Sequence, residues 1–209
     1  MCIRDRYYDE NEVDFDRLRF YCAWDLAIGQ RERNDYSVGI VVGVDEYDNL
    51  YVVDCIRGKY DGFELVEQIL DLFETWRPHV VGIEKGHIEM ALGPFLQKRV
   101  RERGLNEAYF KDLKVGRRDK EARARAIQGR MQQGMVYFPK DPICVGPLIA
   151  ELLRFPNGVH DDQVDALAWI GLMMTEFATF VEKIEHEPSW RDKLKYLVKS
   201  DKRKSAMSS

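Results

Sequence analysis

The sequence predicts an α/β domain built on a mixed central sheet, and three observations carry that prediction. Three strand-like runs come first, before any helix, and short turns join them. Helical and strand-like segments then alternate along the rest of the apolar sequence. Two of the apolar strands run directly into an acidic residue. The opening runs make an antiparallel meander, and the later alternation makes crossovers between parallel strands, so the sheet mixes both kinds of pairing. In open sheets of this type functional groups gather beyond the carboxyl ends of the parallel strands.

Taken in order, residues 1–6 (MCIRDR) join nothing that follows and resemble a translated adapter, while 7–18 is acidic and aperiodic, as in a linker or a severed end. Residues 19–26 (RFYCAWDL) alternate and are rich in aromatics, which reads as a strand with Asp25 near its end. A turn over 29–34 leads to a nearly continuous apolar strand over 36–44, and a hairpin turn at 45–49 returns the chain as a third strand over 50–57. Residues 62–76 place Phe63, Val66, Ile69, Leu70 and Phe73 at helical spacing, and Pro78 ends that helix. A short buried strand over 79–83 runs into Glu84. A helix is expected over 88–103, a fifth strand over 108–115, a basic helix over 119–133 closed by Gly134, and an extended piece over 135–138. A short helix over 143–153 and a long one over 161–180 complete the domain. The expected division is 1–18 as a non-native start and linker or truncated end, 19–182 as the folded domain, and 183–209 as a tail. The tail carries a weak amphipathic helix around Trp190, Leu194 and Leu197 and ends in a basic, Ser-rich piece.

Composition bounds the function. With 209 residues, 45% hydrophobic and 33% charged, the chain has the makings of one domain with a sizeable core. No apolar run approaches the ~20 residues that a membrane span needs, and the acidic start has no signal-peptide pattern. The four cysteines, Cys2, Cys22, Cys55 and Cys144, form no CxxC and have no histidine at ligand spacing, which argues against zinc, and Cys22 and Cys55 fall inside apolar strands as reduced core residues. The net charge of −4 hides an asymmetry: residues 98–130 hold twelve Lys/Arg against five Asp/Glu. Such a segment is either a solvated helix face or a surface for a polyanion.

The most informative stretch is 155–169 (FPNGVHDDQVDALAW). A loop with Pro156 and Gly158 runs through His160 into Asp161 and Asp162, and an apolar-periodic helix follows at once. The first turn of a helix favours carboxylates, because its N–H groups are unpaired and the macrodipole is positive there. Asp162 and Asp165 are three apart and share a face, whereas Asp161 points elsewhere and is a natural N-cap. Capping alone explains an isolated His-Asp-Asp. Asp25 after Trp24 and Glu84 after Val-Val-Gly-Ile change the balance, since a charged group closing an apolar strand costs free energy unless it is paired or binds a cation. If those two strands are sheet neighbours their carboxylates converge, and Asp162 can approach from the last helix. Like charges so placed need divalent cations to ionise together, and an oxygen-only set favours Mg²⁺ or Mn²⁺. Two such ions about 4 Å apart would hydrolyse a phosphodiester.

These residues resemble a known family. Asp25 on the first strand, Asn34-Asp35-Tyr36-Ser37 entering the second, and Gly82-Ile83-Glu84 are similar to the nuclease domain of the large terminase subunit of tailed bacteriophages. So are the stretch from Lys120-Glu-Ala-Arg123 to Gly134-Met-Val-Tyr-Phe-Pro139, the block LIAELLRF over 148–155, and HDDQVD over 160–165. The resemblance covers 20–180 and rests on the ordered series, which is more specific than any one motif. It implies an RNase H-like fold and metal-dependent cutting of concatemeric double-stranded viral DNA during genome packaging.

By that resemblance Asp25, Glu84 and Asp162 form the acidic metal-binding triad, with Asp165 a further ligand in some relatives and an uncharged residue in others. Asp35, Asp161 and His160 take supporting places, and Arg117, Arg118, Lys120 and Arg123 are expected to grip the DNA backbone. The resemblance further implies two Mg²⁺ or Mn²⁺ ions, work in the cytoplasm of an infected bacterium, and partners in an ATPase motor, a small terminase subunit and a portal protein. The sequence has no GxxxxGK[ST], so the motor is expected to lie outside it. Two alternatives stay open: another RNase H-like nuclease, such as a Holliday-junction resolvase or a nuclease of RNA/DNA hybrids, and a non-catalytic module that docks on DNA or a portal.

Overall fold

A computed structural model describes residues 6–27, 36–84, 92–113, 120–140, 145–158 and 161–186 of the chain, with backbone alone at 84, 120–123 and 177–186. Among the described residues, strands β1 (Tyr7–Tyr8), β2 (Arg19–Asp25), β3 (Ser37–Val44), β4 (Leu50–Gly58), β5 (Val80–Glu84), β6 (Phe110–Leu113) and β7 (Val136–Pro139) make one sheet. Its order is β1-β7-β4-β3-β2-β5-β6. Helices α1 (Gly62–Trp76), α2 (Gly93–Glu102), α3 (Lys120–Gln132), α4 (Gly146–Arg154) and α5 (Asp162–His186) complete it.

The meander forms because β3 is buried at every position, so it must sit inside the sheet with partners on both sides. It pairs antiparallel with β2, from Arg19 opposite Val44 to Asp25 opposite Val38, and antiparallel with β4, from Ser37 opposite Gly58 to Val44 opposite Leu50. The β3–β4 turn is built by Asp45, whose carboxylate accepts from the N–H groups of Tyr47 (2.9 Å) and Asn49 (2.8 Å), and Asp48 supplies the left-handed residue at φ 62°. The remaining pairings are parallel: β2 with β5, β5 with β6, β4 with β7, and β7 with β1. The expected mixed sheet is therefore the observed one.

Two local expectations change. The aperiodic reading of 7–18 missed an edge strand, because two residues are too few to show a period. Phe138 N–H donates to the Arg6 carbonyl and Lys140 N–H to that of Tyr8, both at 2.9 Å, and the Tyr8 hydroxyl donates to Val52 O at 3.0 Å. Residue 6, set aside from the fold in the sequence reading, thus hydrogen-bonds to β7 just ahead of β1. The extended piece after Gly134 is β7, a strand between β1 and β4. Helix α2 begins at Gly93, and the expected start over 88–91 lies outside the described residues.

Both faces of the sheet are covered. On one, Cys22, Trp24, Val81 and Ile83 pack with Leu65, Val66, Ile69 and Leu70 of α1 and Leu96 of α2. On the other lies the first part of α5. A Cβ on Gly82 would stand 2.7 Å from Met173 Sδ, so the helix rests almost on the β5 backbone there. Helix α3 in turn packs on α5, since a Cβ on Gly171 would stand 2.9 Å from the Ile127 nitrogen. The chain divides into two compact units, residues 1–173 and 174–209, and the second holds the last part of α5 among its described residues.

Helix α1 is set by its cap. The Asp61 carboxylate accepts from Phe63 and Glu64 N–H, each at 2.8 Å, while Glu64 accepts from Asp61 N–H at 3.0 Å. Removing that reciprocal cap in Asp61→Ala is expected to lower stability by about 1 kcal/mol, read as a shifted urea midpoint with unchanged m-value.

Candidate active site

Strand register brings the sequence-predicted acids to one end of the sheet. On the parallel neighbours β2 and β5, Trp24 stands opposite Ile83, and Asp25 and Glu84 are the next residue on each. Asp25 also stands opposite Val38, which stands opposite Arg57. Residues in register share a face, so Asp25, Val38 and Arg57 form a row across β2, β3 and β4. Residues two apart share it as well, which puts Asp25 on the face of Ala23, whose partner Gly82 lies under α5.

The start of α5 supplies the other acids. Asp161 precedes the helix, and its carbonyl accepts from Asp165 N–H at 2.9 Å, as the N-cap position requires. Asp162 and Asp165 fall in the first turn, and Asp165 is only 6% exposed. A carboxylate that buried is uncommon, and a helix N-terminus is the backbone setting that best tolerates it.

What fixes this turn was not foreseen from sequence. Glu151 of α4 accepts from Gln163 N–H at 3.0 Å and from Gln163 Nε2 at 2.7 Å. One carboxylate from a neighbouring helix thus satisfies an N–H of the first turn. Cys55 Sγ donates to Gln163 Oε1 at 3.4 Å, tying the same side chain to β4. Arg57 Nη2 lies 3.7 Å from Glu151 Oε1 and 3.9 Å from Asp162 Oδ2. Its guanidinium carbon stands 3.9 Å from the centroid of the Tyr36 ring. The available signals were weak ones: a single cation closing β4, and a lone acid inside the apolar block 148–155.

The other expected site residues divide as follows. Asp35, His160, Arg117 and Arg118 lie outside the described residues, as does the side chain of Glu84. Lys120 and Arg123 fall in α3, but their side chains are likewise outside the description. Among the described residues no three His, Cys, Asp or Glu side chains are close enough to hold a metal ion, so Asp25, Asp162 and Asp165 alone do not make such a group.

The basic excess over 98–130 is partly neutralised within the fold. Arg99 Nε pairs with Glu67 at 2.6 Å, and Arg103 reaches Glu67, Asp71 and Glu74. The two guanidinium groups hold the Glu67 carboxyl down at about 2, mainly through the hydrogen bond from Arg99. Arg130 donates to the Asp48 carbonyl at 3.0 Å. These arginines serve α1–α2 packing and the hairpin, and only the remainder is available for a polyanion. Among the described residues no helix is long and apolar enough to cross a membrane.

The chain was compared with known proteins. A family model described as the terminase RNaseH-like domain matches residues 22–174. The chain is similar in structure to the large terminase nuclease from thermophilic phage G20c, with 17% identity and a TM-score of 0.53 over 80% of this chain and 84% of that one. It is also similar to a large terminase of a thermophilic bacteriophage in complex with ADP, with 13% identity and a TM-score of 0.51. That match covers 75% of this chain and 42% of the larger one. The Holliday junction resolvase of fowlpox virus is a more distant neighbour, at 12% identity and a TM-score of 0.47 over 76% of this chain and 99% of that one. The search among curated proteins gives no match. At these identities the structural likenesses speak for the fold, which is RNase H-like.

Proposed function

Because the chain belongs to the terminase RNaseH-like domain family, we propose that it is a divalent-metal-dependent endonuclease that cuts double-stranded viral DNA during genome packaging. The observation that carries this reading is the register at the sheet's end: Asp25 and Glu84 are the residues that follow the paired Trp24 and Ile83 on adjacent parallel strands. Helix α5, which opens with Asp162 and Asp165, lies on the same face.

The donor chemistry fits hard cations. Every acid in the proposed set offers carboxylate oxygen, and Asp165 is buried at a helix start where negative charge is tolerated. Asp25, Glu84, Asp162 and Asp165 would hold Mg²⁺ or Mn²⁺, with Glu84 needed to complete the group that the described acids do not form alone. Bound there, such ions polarise a phosphodiester and lower the pKa of water. The chain's own part is to fix the carboxylates on a rigid strand and a rigid helix turn, so that little rearrangement accompanies catalysis. Asp35, Asp161 and His160 would support the site. Arg117, Arg118, Lys120 and Arg123 would hold DNA by its phosphates, without reading its sequence. In this reading the chain acts in the cytoplasm of the infected host, alongside an ATPase motor, a small terminase subunit and a portal.

The test is incubation of the purified chain with supercoiled plasmid in Mn²⁺ or Mg²⁺. Nicked and linear products that vanish on chelation are expected, with linear duplex cut as readily as a four-way junction. Cutting confined to junctions would transfer the chain to the resolvases. A calorimetric titration that finds no Mn²⁺ binding would remove the enzyme reading altogether.

A further inference from the structure

Arg57 is a cation set directly against an acid of the proposed metal group, with Nη2 3.9 Å from Asp162 Oδ2. We propose that it is a positioning residue for that site, holding the Asp162 carboxylate by charge where a divalent ion can use it. The inference rests on the nuclease reading above and adds to it a residue that the acidic motifs do not contain.

Three features support it. First, Arg57 shares the row of Asp25 and Val38, two strand spacings or about 10 Å from Asp25 across the sheet, so it reaches α5 from the level of the proposed site. Second, its direction is fixed, because the guanidinium lies 3.9 Å from the centroid of Tyr36. A flat cation on an aromatic face loses freedom before any partner arrives. Third, Nε and Nη2 are buried and make no hydrogen bond among the described residues. Nη2 instead stands between two carboxylates, at 3.7 Å from Glu151 and 3.9 Å from Asp162.

Arginine–carboxylate pairs are frequently close and two-pronged, at about 2.8 Å, and Arg57 makes no such contact with either carboxylate. Leaving buried N–H groups without hydrogen bonds costs free energy, so their presence calls for a reason, and a role at a functional site is one. The division of labour is visible in the partners. Glu151 is engaged with the backbone and side chain of Gln163, and so anchors the helix turn. Arg57 then balances the two negative charges at that turn. Without it, the two carboxylates at that turn would lose a positive charge that lies within 4 Å of both.

The experiment is a Mn²⁺ titration, by calorimetry or electron paramagnetic resonance, of the wild-type chain, Arg57→Gln, Arg57→Lys and Tyr36→Leu, each checked for folding by circular dichroism. Arg57→Gln is expected to weaken Mn²⁺ binding at least about 10-fold, the lower end for loss of a group that supports a metal ligand. Arg57→Lys is expected to recover part of that loss, and Tyr36→Leu to lose a smaller factor. In cleavage assays kcat should fall with KM for DNA unchanged. A folded Arg57→Gln that binds Mn²⁺ as well as wild type, or better, overturns the proposal. So does a rise in KM at constant kcat, which would make Arg57 a DNA contact. If Arg57→Gln does not fold, wild-type binding by both other variants overturns it equally. Should the wild-type chain bind no Mn²⁺, the nuclease reading fails first and this inference goes with it.

Discussion

Asp25→Asn is expected to reduce Mn²⁺-dependent plasmid nicking by more than about 100-fold, beyond the loss seen when even an outer partner of a metal ligand is removed. The substitution keeps size and shape and removes only the negative charge. Asp25 closes β2 beside the fully buried Trp24, in a row with Val38 and Arg57. Its backbone pairing with Val38 does not depend on the carboxylate, so the strand should survive. The thermal midpoint should accordingly stay within about 2–4 °C of wild type, equivalent to about 1 kcal/mol at this size. Asp112→Asn on β6 makes the same change of charge on an exposed side chain and serves as the control. An Asp25→Asn protein that keeps more than a tenth of the activity would take that residue out of the chemistry.

Trp24→Ala should have the largest effect on stability, a loss of about 3–5 kcal/mol. The indole is fully buried in the cluster between the sheet and α1–α2, and it packs so closely on β3 that a Cβ on Gly39 would stand 2.7 Å from the ring. Alanine would leave a cavity that the paired strands on either side, β3 and β5, cannot close. Total stability for a domain is of order 5–15 kcal/mol, so a third or more of it would go. Urea unfolding at 25 °C measures this directly, and a loss below about 1 kcal/mol would mean that the neighbours collapse into the space.

How much of this was legible in the sequence depends on whether the deciding interaction is local. The meander was, because β3 is apolar at nearly every position and Asp45 carries turn chemistry at the place where the chain reverses. So was the register that matters most, once β2 and β5 were taken as neighbours. The place of β7 between β4 and β1 was not, since four residues carry no signal for which strand they will meet. The role of Arg57 was hidden for a related reason. An arginine at a strand end reads as solvated, and its burial against Tyr36, Glu151 and Asp162 depends on α4 and α5, which arrive about ninety residues later. In the basic stretch over 98–130, the α1 acids that pair with Arg99 and Arg103 stand about thirty residues earlier, so that part of the neutralisation was not legible locally.

The β3–β4 turn has a practical use. It stands a full strand from Asp25, about 25 Å at the rise of an eight-residue strand, and Tyr47 at its tip is 73% exposed. A fluorophore or a surface tether attached at that tip would report on single DNA molecules from the end of the sheet remote from the cutting chemistry.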